Sequence, residues 1–77
     1  MRHDVTIQYY RKKAQLKQGD LAELLELPRT TVSFYETKRM YPDRNMAERI
    51  AEVLGVPIGK LYSEEELNFI AFRNNGQ

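Results

Sequence analysis

The chain has 77 residues, twelve basic and eleven acidic, with 42% hydrophobic residues and no cysteine. That length fits one small domain with a thin core, since a chain of this size buries only roughly 60% of its unfolded surface. Without cysteine there is no disulfide framework and no thiolate metal site, and a single histidine, His3, leaves almost no material for histidine catalysis. The start Met1-Arg2-His3-Asp4 is polar, and no apolar run approaches the ~20 residues of a membrane span, so a cytoplasmic protein is expected.

The pattern is helical throughout. Ile7, Tyr10 and Ala14 recur at i, i+3, i+7 and predict an amphipathic first helix capped by Asp4 or Thr6, with Tyr10 inward and Tyr9 outward. Leu21, Leu24 and Leu25 mark a second short helix. Glu26-Leu27-Pro28 interrupts it, because the residue before a proline is pushed out of the helical region. Pro28 suits a helix start, so a third helix is expected from about Arg29 to Tyr35, with Val32 and Tyr35 inward. Thr37 to Pro42 reads as a loop.

Asp43 caps a fourth helix with Met46, Ala47, Ile50, Ala51 and Leu54 on one face and Gly55 as its stop. Val56 to Leu61 gives a single short turn of helix. Ser63 and Glu66 then form a capping box, with Glu64 and Glu65 at the positive end of the helix that follows. Leu67, Ile70 and Ala71 give that helix an apolar face, which Phe69 and Phe72 broaden before Asn74-Asn75-Gly76 ends it. No stretch alternates apolar and polar residues over enough positions for a strand. The expected class is all-α, with five or six short helices and no repeats.

The net charge of +1 conceals a division. Residues 1–44 hold nine basic and six acidic side chains, a net of +3, and residues 45–77 hold three and five, a net of −2. Arg11, Lys12, Lys13 and Lys17 form one basic stretch, and Arg29, Lys38, Arg39 and Arg44 a second. Two such groups on one half of a nearly neutral chain point to a polyanion-facing side, although Lys12 and Lys13 also read as simply solvated.

Two short helices separated by a tight three-residue break have the geometry of a helix-turn-helix, in which the second helix presents its N-terminal side chains to base edges in the major groove. Leu16-Lys17-Gln18-Gly19-Asp20-Leu21-Ala22-Glu23-Leu24-Leu25 resembles the second helix of the Cro/CI-type, or XRE-type, helix-turn-helix family. Arg29-Thr30-Thr31-Val32-Ser33-Phe34-Tyr35-Glu36 resembles its recognition helix, and Pro42, Ile50-Ala51 and Leu54-Gly55-Val56 resemble its fourth helix. The resemblance is co-linear from about Ile7 to Tyr62. It implies a compact five-helix, lambda-repressor-like DNA-binding domain over 1–62, with a supporting helix at about 18–25 and a recognition helix at about 29–36. Residues 63–77 would add a short C-terminal helix for packing or dimerisation.

The resemblance also assigns roles. Arg29, Thr30, Phe34 and Ser33 become the base-facing candidates, and Gln18, Thr31, Thr37, Lys38, Arg39, Tyr41 and Lys17 the phosphate candidates. Arg29 suits the O6 and N7 atoms of a guanine but equally a phosphate, and Phe34 suits a thymine methyl but equally a core or partner contact. Gln18 would also support the first side chain of the recognition helix. The resemblance implies an ion pair between Arg11 and Glu36; the other reading of Arg11 is one more phosphate-facing cation. Four positions depart from the family pattern: Glu26 stands where glycine is usual, Pro28 and Lys17 stand at usual Ser or Thr caps, and Lys38 replaces a common glycine. A left-handed conformation at Glu26 would cost roughly 1 kcal/mol.

The family implied here binds double-stranded DNA as a homodimer, so Phe69, Ile70 and Phe72 are candidate dimer contacts; the alternative is that their helix folds back to complete the core. The expected function is transcriptional regulation, in the form of repression at a palindromic operator, in a prokaryotic cell or phage. An antitoxin-like module whose main partner is a toxin or another protein is the alternative. No enzyme, metal or cofactor is expected, because no paired carboxylates, nucleophile–histidine pair or phosphate-cradling glycine loop occurs.

Overall fold

A computed structural model describes residues 6–75, with side chains as far as Phe72. Among these residues are five α-helices and no strand: α1 (Thr6–Lys13), α2 (Gln18–Leu25), α3 (Arg29–Glu36), α4 (Arg44–Leu54) and α5 (Glu64–Asn75). The protein is all-α, as its periodicity requires. The turn expected at Val56 to Leu61 is a single 3-10 turn, Ile58–Lys60, so the count of five α-helices includes the C-terminal one. Asp4, one of the two expected caps of α1, lies outside the described residues, as does Gly76.

The chain divides into two compact units, Met1–Tyr41 and Pro42–Gln77, whereas the sequence offered one boundary near Tyr62. The physical reason is the packing partners. In the first unit α3 packs on α2 and α1; in the second α4 packs on α5 and on the 3-10 turn.

In the first unit Ile7, Leu21, Ala22, Leu25, Val32 and Tyr35 are buried. Ala22 is small on the buried side of α2, the helix packed on α3, where a larger side chain would overpack. Two expected core positions face outward instead. Ala14 lies past the end of α1 and is exposed. Leu24 is 50% exposed, because the buried face of α2 is Leu21, Ala22 and Leu25, and at about 100° per residue Leu24 falls on its flank. Tyr9 is exposed and Tyr10 half-buried, their rings edge to face at 4.9 Å.

All three helices of this unit end in the same pair of crossed hydrogen bonds, the Schellman pattern. After α1, Gln15 N donates to Lys12 O at 2.9 Å and Leu16 N to Arg11 O at 3.1 Å. After α2, Glu26 N donates to Glu23 O at 3.1 Å and Leu27 N to Ala22 O at 2.9 Å. After α3, Lys38 N donates to Tyr35 O at 3.2 Å and Arg39 N to Phe34 O at 3.0 Å. The pattern places its hinge residue in the left-handed region, with φ of 61° at Gln15, 59° at Glu26 and 61° at Lys38. None of the three is glycine, so each carries the steric penalty of a Cβ there.

In the second unit Pro42, Ala47, Ile50, Ala51, Leu54, Leu61, Tyr62 and Ile70 are buried. The Asp43 carboxylate accepts from Met46 N at 2.8 Å and caps α4. That helix ends at Gly55, φ 72°, again with the crossed pair: Gly55 N to Glu52 O at 3.1 Å and Val56 N to Ala51 O at 3.0 Å. Both halves of the box at α5 are made, Glu66 N donating to Ser63 Oγ at 3.1 Å and Ser63 N to Glu66 Oε1 at 2.8 Å. No helix among the described residues is long and apolar enough to cross a membrane.

Candidate nucleic-acid interface

The break between α2 and α3 is Glu26, Leu27 and Pro28, three residues that turn the chain so that α3 packs across α2. Glu26 supplies the left-handed bend, and Pro28, at φ −62° and ψ 149°, starts α3 without a side-chain cap. One turn of α3 advances 3.6 residues, which sorts its eight residues into two faces. Val32, Tyr35 and Glu36 are buried, whereas Arg29, Thr30 and Phe34 are exposed and Thr31 and Ser33 lie half-buried between them. The four base-facing candidates thus include three exposed positions on one helix, with Ser33 at their margin.

Beneath that face lies a polar cluster centred on Glu36. Arg11 and Glu36 form an ion pair through Nε and Oε2, with the two residues only 6% and 4% exposed. A second contact runs from Arg11 Nη2 to Glu36 Oε1 at 3.5 Å, and Arg11 Nη1 donates to the Leu16 carbonyl at 2.8 Å. Gln18 Nε2 donates to Glu36 Oε1 at 3.0 Å. One carboxylate therefore ties α1, the loop after it, the first residue of α2 and the last residue of α3 into one arrangement. A buried charge of this kind is tolerable only while paired, so the cluster fixes geometry more than it adds stability. The reading of Arg11 as a phosphate-facing cation is set aside by its burial.

The other candidates divide by what their polar atoms already do. Thr37 donates its hydroxyl to Ser33 O at 3.0 Å, with Phe34 O 3.3 Å away, so in this structure it closes the end of α3. Gln18 has one amide hydrogen directed at Glu36, which leaves the other for an external acceptor. Lys17 is exposed at the start of α2, where its backbone N donates to Asp20 Oδ2 at 2.9 Å; its side chain caps nothing. Arg39 is exposed, and Lys38 and Tyr41 are half-buried, with Lys38 Nζ 5.7 Å from the centre of the Tyr41 ring. Arg44, counted with the second basic group, lies in the other unit and pairs with Glu48 at 2.9 Å.

Of the dimer-contact candidates, Ile70 is 0% exposed and belongs to the core, because it lies on the side of α5 that packs on α4. Phe69 and Phe72 are exposed, Phe72 at 74%. Sequence reasoning missed two participants in the first unit. The Leu16 carbonyl receives Arg11, and a backbone acceptor leaves no side-chain signal. Gly19 lies beside Arg29: a Cβ built there would stand 3.9 Å from Arg29 Cδ, so the arginine stem runs along the first turn of α2. A lone glycine inside a short helix was the available hint.

Comparison with known proteins agrees with this geometry. The comparisons with curated proteins and with solved structures give no match. A family described as Helix-turn-helix matches residues 7–61, which takes in α1 from its second residue, α2 to α4 and the 3-10 turn, and with them both helices of the motif and the Glu36 cluster. The chain belongs to the helix-turn-helix family of the Cro/CI, or XRE, type, a family of DNA-binding regulators.

Proposed function

We propose that the protein is a sequence-specific transcriptional repressor that binds an inverted-repeat operator as a homodimer through α3 in the major groove. The observation that carries this reading is the outward face of α3, where Arg29, Thr30 and Phe34 stand exposed above a helix locked from below by Glu36. Arg29 offers the bidentate donor pair that a guanine accepts, and Phe34 an apolar surface for a thymine methyl. Lys17, Gln18, Lys38 and Arg39 supply donors for the phosphates on either side, which position the helix without reading sequence. Repression follows from occupancy alone, since a bound dimer excludes other proteins from the same duplex. Exposed Phe69 and Phe72 on α5 are the residues assigned to the dimer contact.

The test compares two substitutions on a duplex selected from random DNA. Arg29→Ala is expected to weaken binding by about 1–3 kcal/mol and to relax preference at one base per half-site. Arg39→Ala is expected to weaken all sequences alike and to flatten the salt dependence. If both variants bind as the parent does, the assignment of α3 as the reading helix is wrong. The exposure of Phe72 favours one second reading, an antitoxin-like module whose main contact is a protein. A stoichiometric partner retained on purification, together with only salt-sensitive, sequence-indifferent DNA binding, would select it.

A further inference from the structure

We propose that Gly19 is a positioning residue for sequence reading: carrying no side chain, it leaves the stem of Arg29 a track along the first turn of α2 and so sets where the guanidinium meets a base. The proposal rests on the DNA-binding reading of α3 and deepens it by naming what keeps the first side chain of that helix on course. Glycine is an unfavourable choice inside a helix of eight residues, because it gives up more backbone freedom than any other residue. Neither usual reason for accepting that loss applies at position 19. Among the described glycines only Gly55 enters the left-handed region. The buried face of α2 is Leu21, Ala22 and Leu25, whereas Gly19 is exposed, so close helix packing does not demand it either.

What does meet Gly19 is one side chain of the next helix. A Cβ built there has Arg29 Cδ 3.9 Å away and, its chain neighbours and its own helix backbone aside, no other described atom within 4 Å. The space is bounded by the arginine alone. A single methyl at that distance makes ordinary van der Waals contact, and the stem can stay where it is. A β-branched side chain puts two further heavy atoms on that Cβ, which cannot both turn away from the stem. The residues on either side are engaged elsewhere. Gln18 Nε2 donates to Glu36 Oε1 at 3.0 Å, and Asp20 Oδ2 accepts from Lys17 N at 2.9 Å. Arg29 is exposed, and no hydrogen bond or ion pair among the described residues holds its guanidinium. Its course is therefore set by its stem. Restraining a long side chain before binding reduces the freedom lost when a bidentate contact forms.

The experiment uses the full chain, with fluorescence anisotropy on a selected duplex and on duplexes changed at single base pairs, and with melting followed by circular dichroism. Arg29→Ala first identifies the base pair whose preference it relaxes. Gly19→Ala is expected to melt higher than the parent and to keep its base preference, with affinity within about twofold. Gly19→Ile is expected to melt no lower than the parent, yet to bind the selected duplex about tenfold more weakly and to lose preference at that same base pair. Gly19→Val should repeat the loss. In the Arg29→Ala background, Gly19→Ile is expected to change binding by less than about twofold, because both residues act through one contact. The proposal is overturned if Gly19→Ile keeps affinity and preference, or if it weakens binding equally with and without Arg29. If Arg29→Ala relaxes no base pair, the DNA-binding reading of α3 fails and takes the proposal with it. If Arg29→Ala relaxes one and Gly19→Ile does not, only the role of Gly19 is lost.

Discussion

The two units end their helices with the same crossed hydrogen bonds but fill the hinge differently. In Pro42–Gln77, α4 starts on the Asp43 carboxylate and ends on Gly55, and α5 starts with a complete Ser63–Glu66 box. In Met1–Tyr41, the hinges are Gln15, Glu26 and Lys38, and α3 starts on Pro28, which offers no side-chain cap. Local chemistry is thus followed in one unit and broken repeatedly in the other. Such breaks concentrate where a surface serves something besides folding, and the unit that breaks them is the one that carries the helix-turn-helix. What the first unit has in place of good hinges is the buried Glu36 cluster, which ties its three helices to one carboxylate. The second unit has no buried ion pair among its described residues; its Arg44–Glu48 pair is half-exposed.

This contrast can be broken most forcefully at Glu36. Glu36→Ala strands the Arg11 guanidinium and is expected to destabilise the protein by about 3–5 kcal/mol in urea denaturation. A change below about 1 kcal/mol would mean that the cluster does not hold the first unit together. Next in size is the cap of α4, where Asp43→Ala should cost about 1 kcal/mol, and up to about 2. The hinges come third and have opposite signs in the two units. Glu26→Gly should raise stability by about 1 kcal/mol or less, and Gly55→Ala should lower it by a similar amount. No atom lies within 4 Å of a Cβ built at Gly55, so a loss there reports on the backbone conformation and not on a clash. Destabilisation by Glu26→Gly would remove the contrast altogether. The smallest effect is expected at the surface pair, where Arg44→Ala should change stability by no more than about 0.5 kcal/mol.

Sequence reading recovered the features set within one helical turn. The Ser63–Glu66 box, the Asp43 cap and the Gly55 stop each depend on residues three or four apart, and each is present. The pairing of Arg11 with Glu36 spans 25 residues and came from the family resemblance, not from spacing. What escaped was set by how helices approach one another. Leu24 has the periodicity of a core residue, yet the packing of α2 on α3 turns Ala22 inward and leaves Leu24 on the flank. Ile70 belongs to an aromatic-rich cluster that suggested a surface, but it is the residue of that cluster aimed at the core. The contact of the Thr37 hydroxyl with Ser33 O, which closes α3, is likewise visible only in the geometry.

The central claim is that the exposed end of α3 reads sequence. The most direct test is selection of bound duplexes from a random pool at near-physiological salt, run in parallel with the intact protein and with Arg29→Ala. The account predicts enrichment of an inverted repeat with half-site centres about 10 base pairs apart, and loss of preference at one position in each half-site for the variant. An unenriched pool from the intact protein, with binding that merely weakens as salt rises, would contradict it.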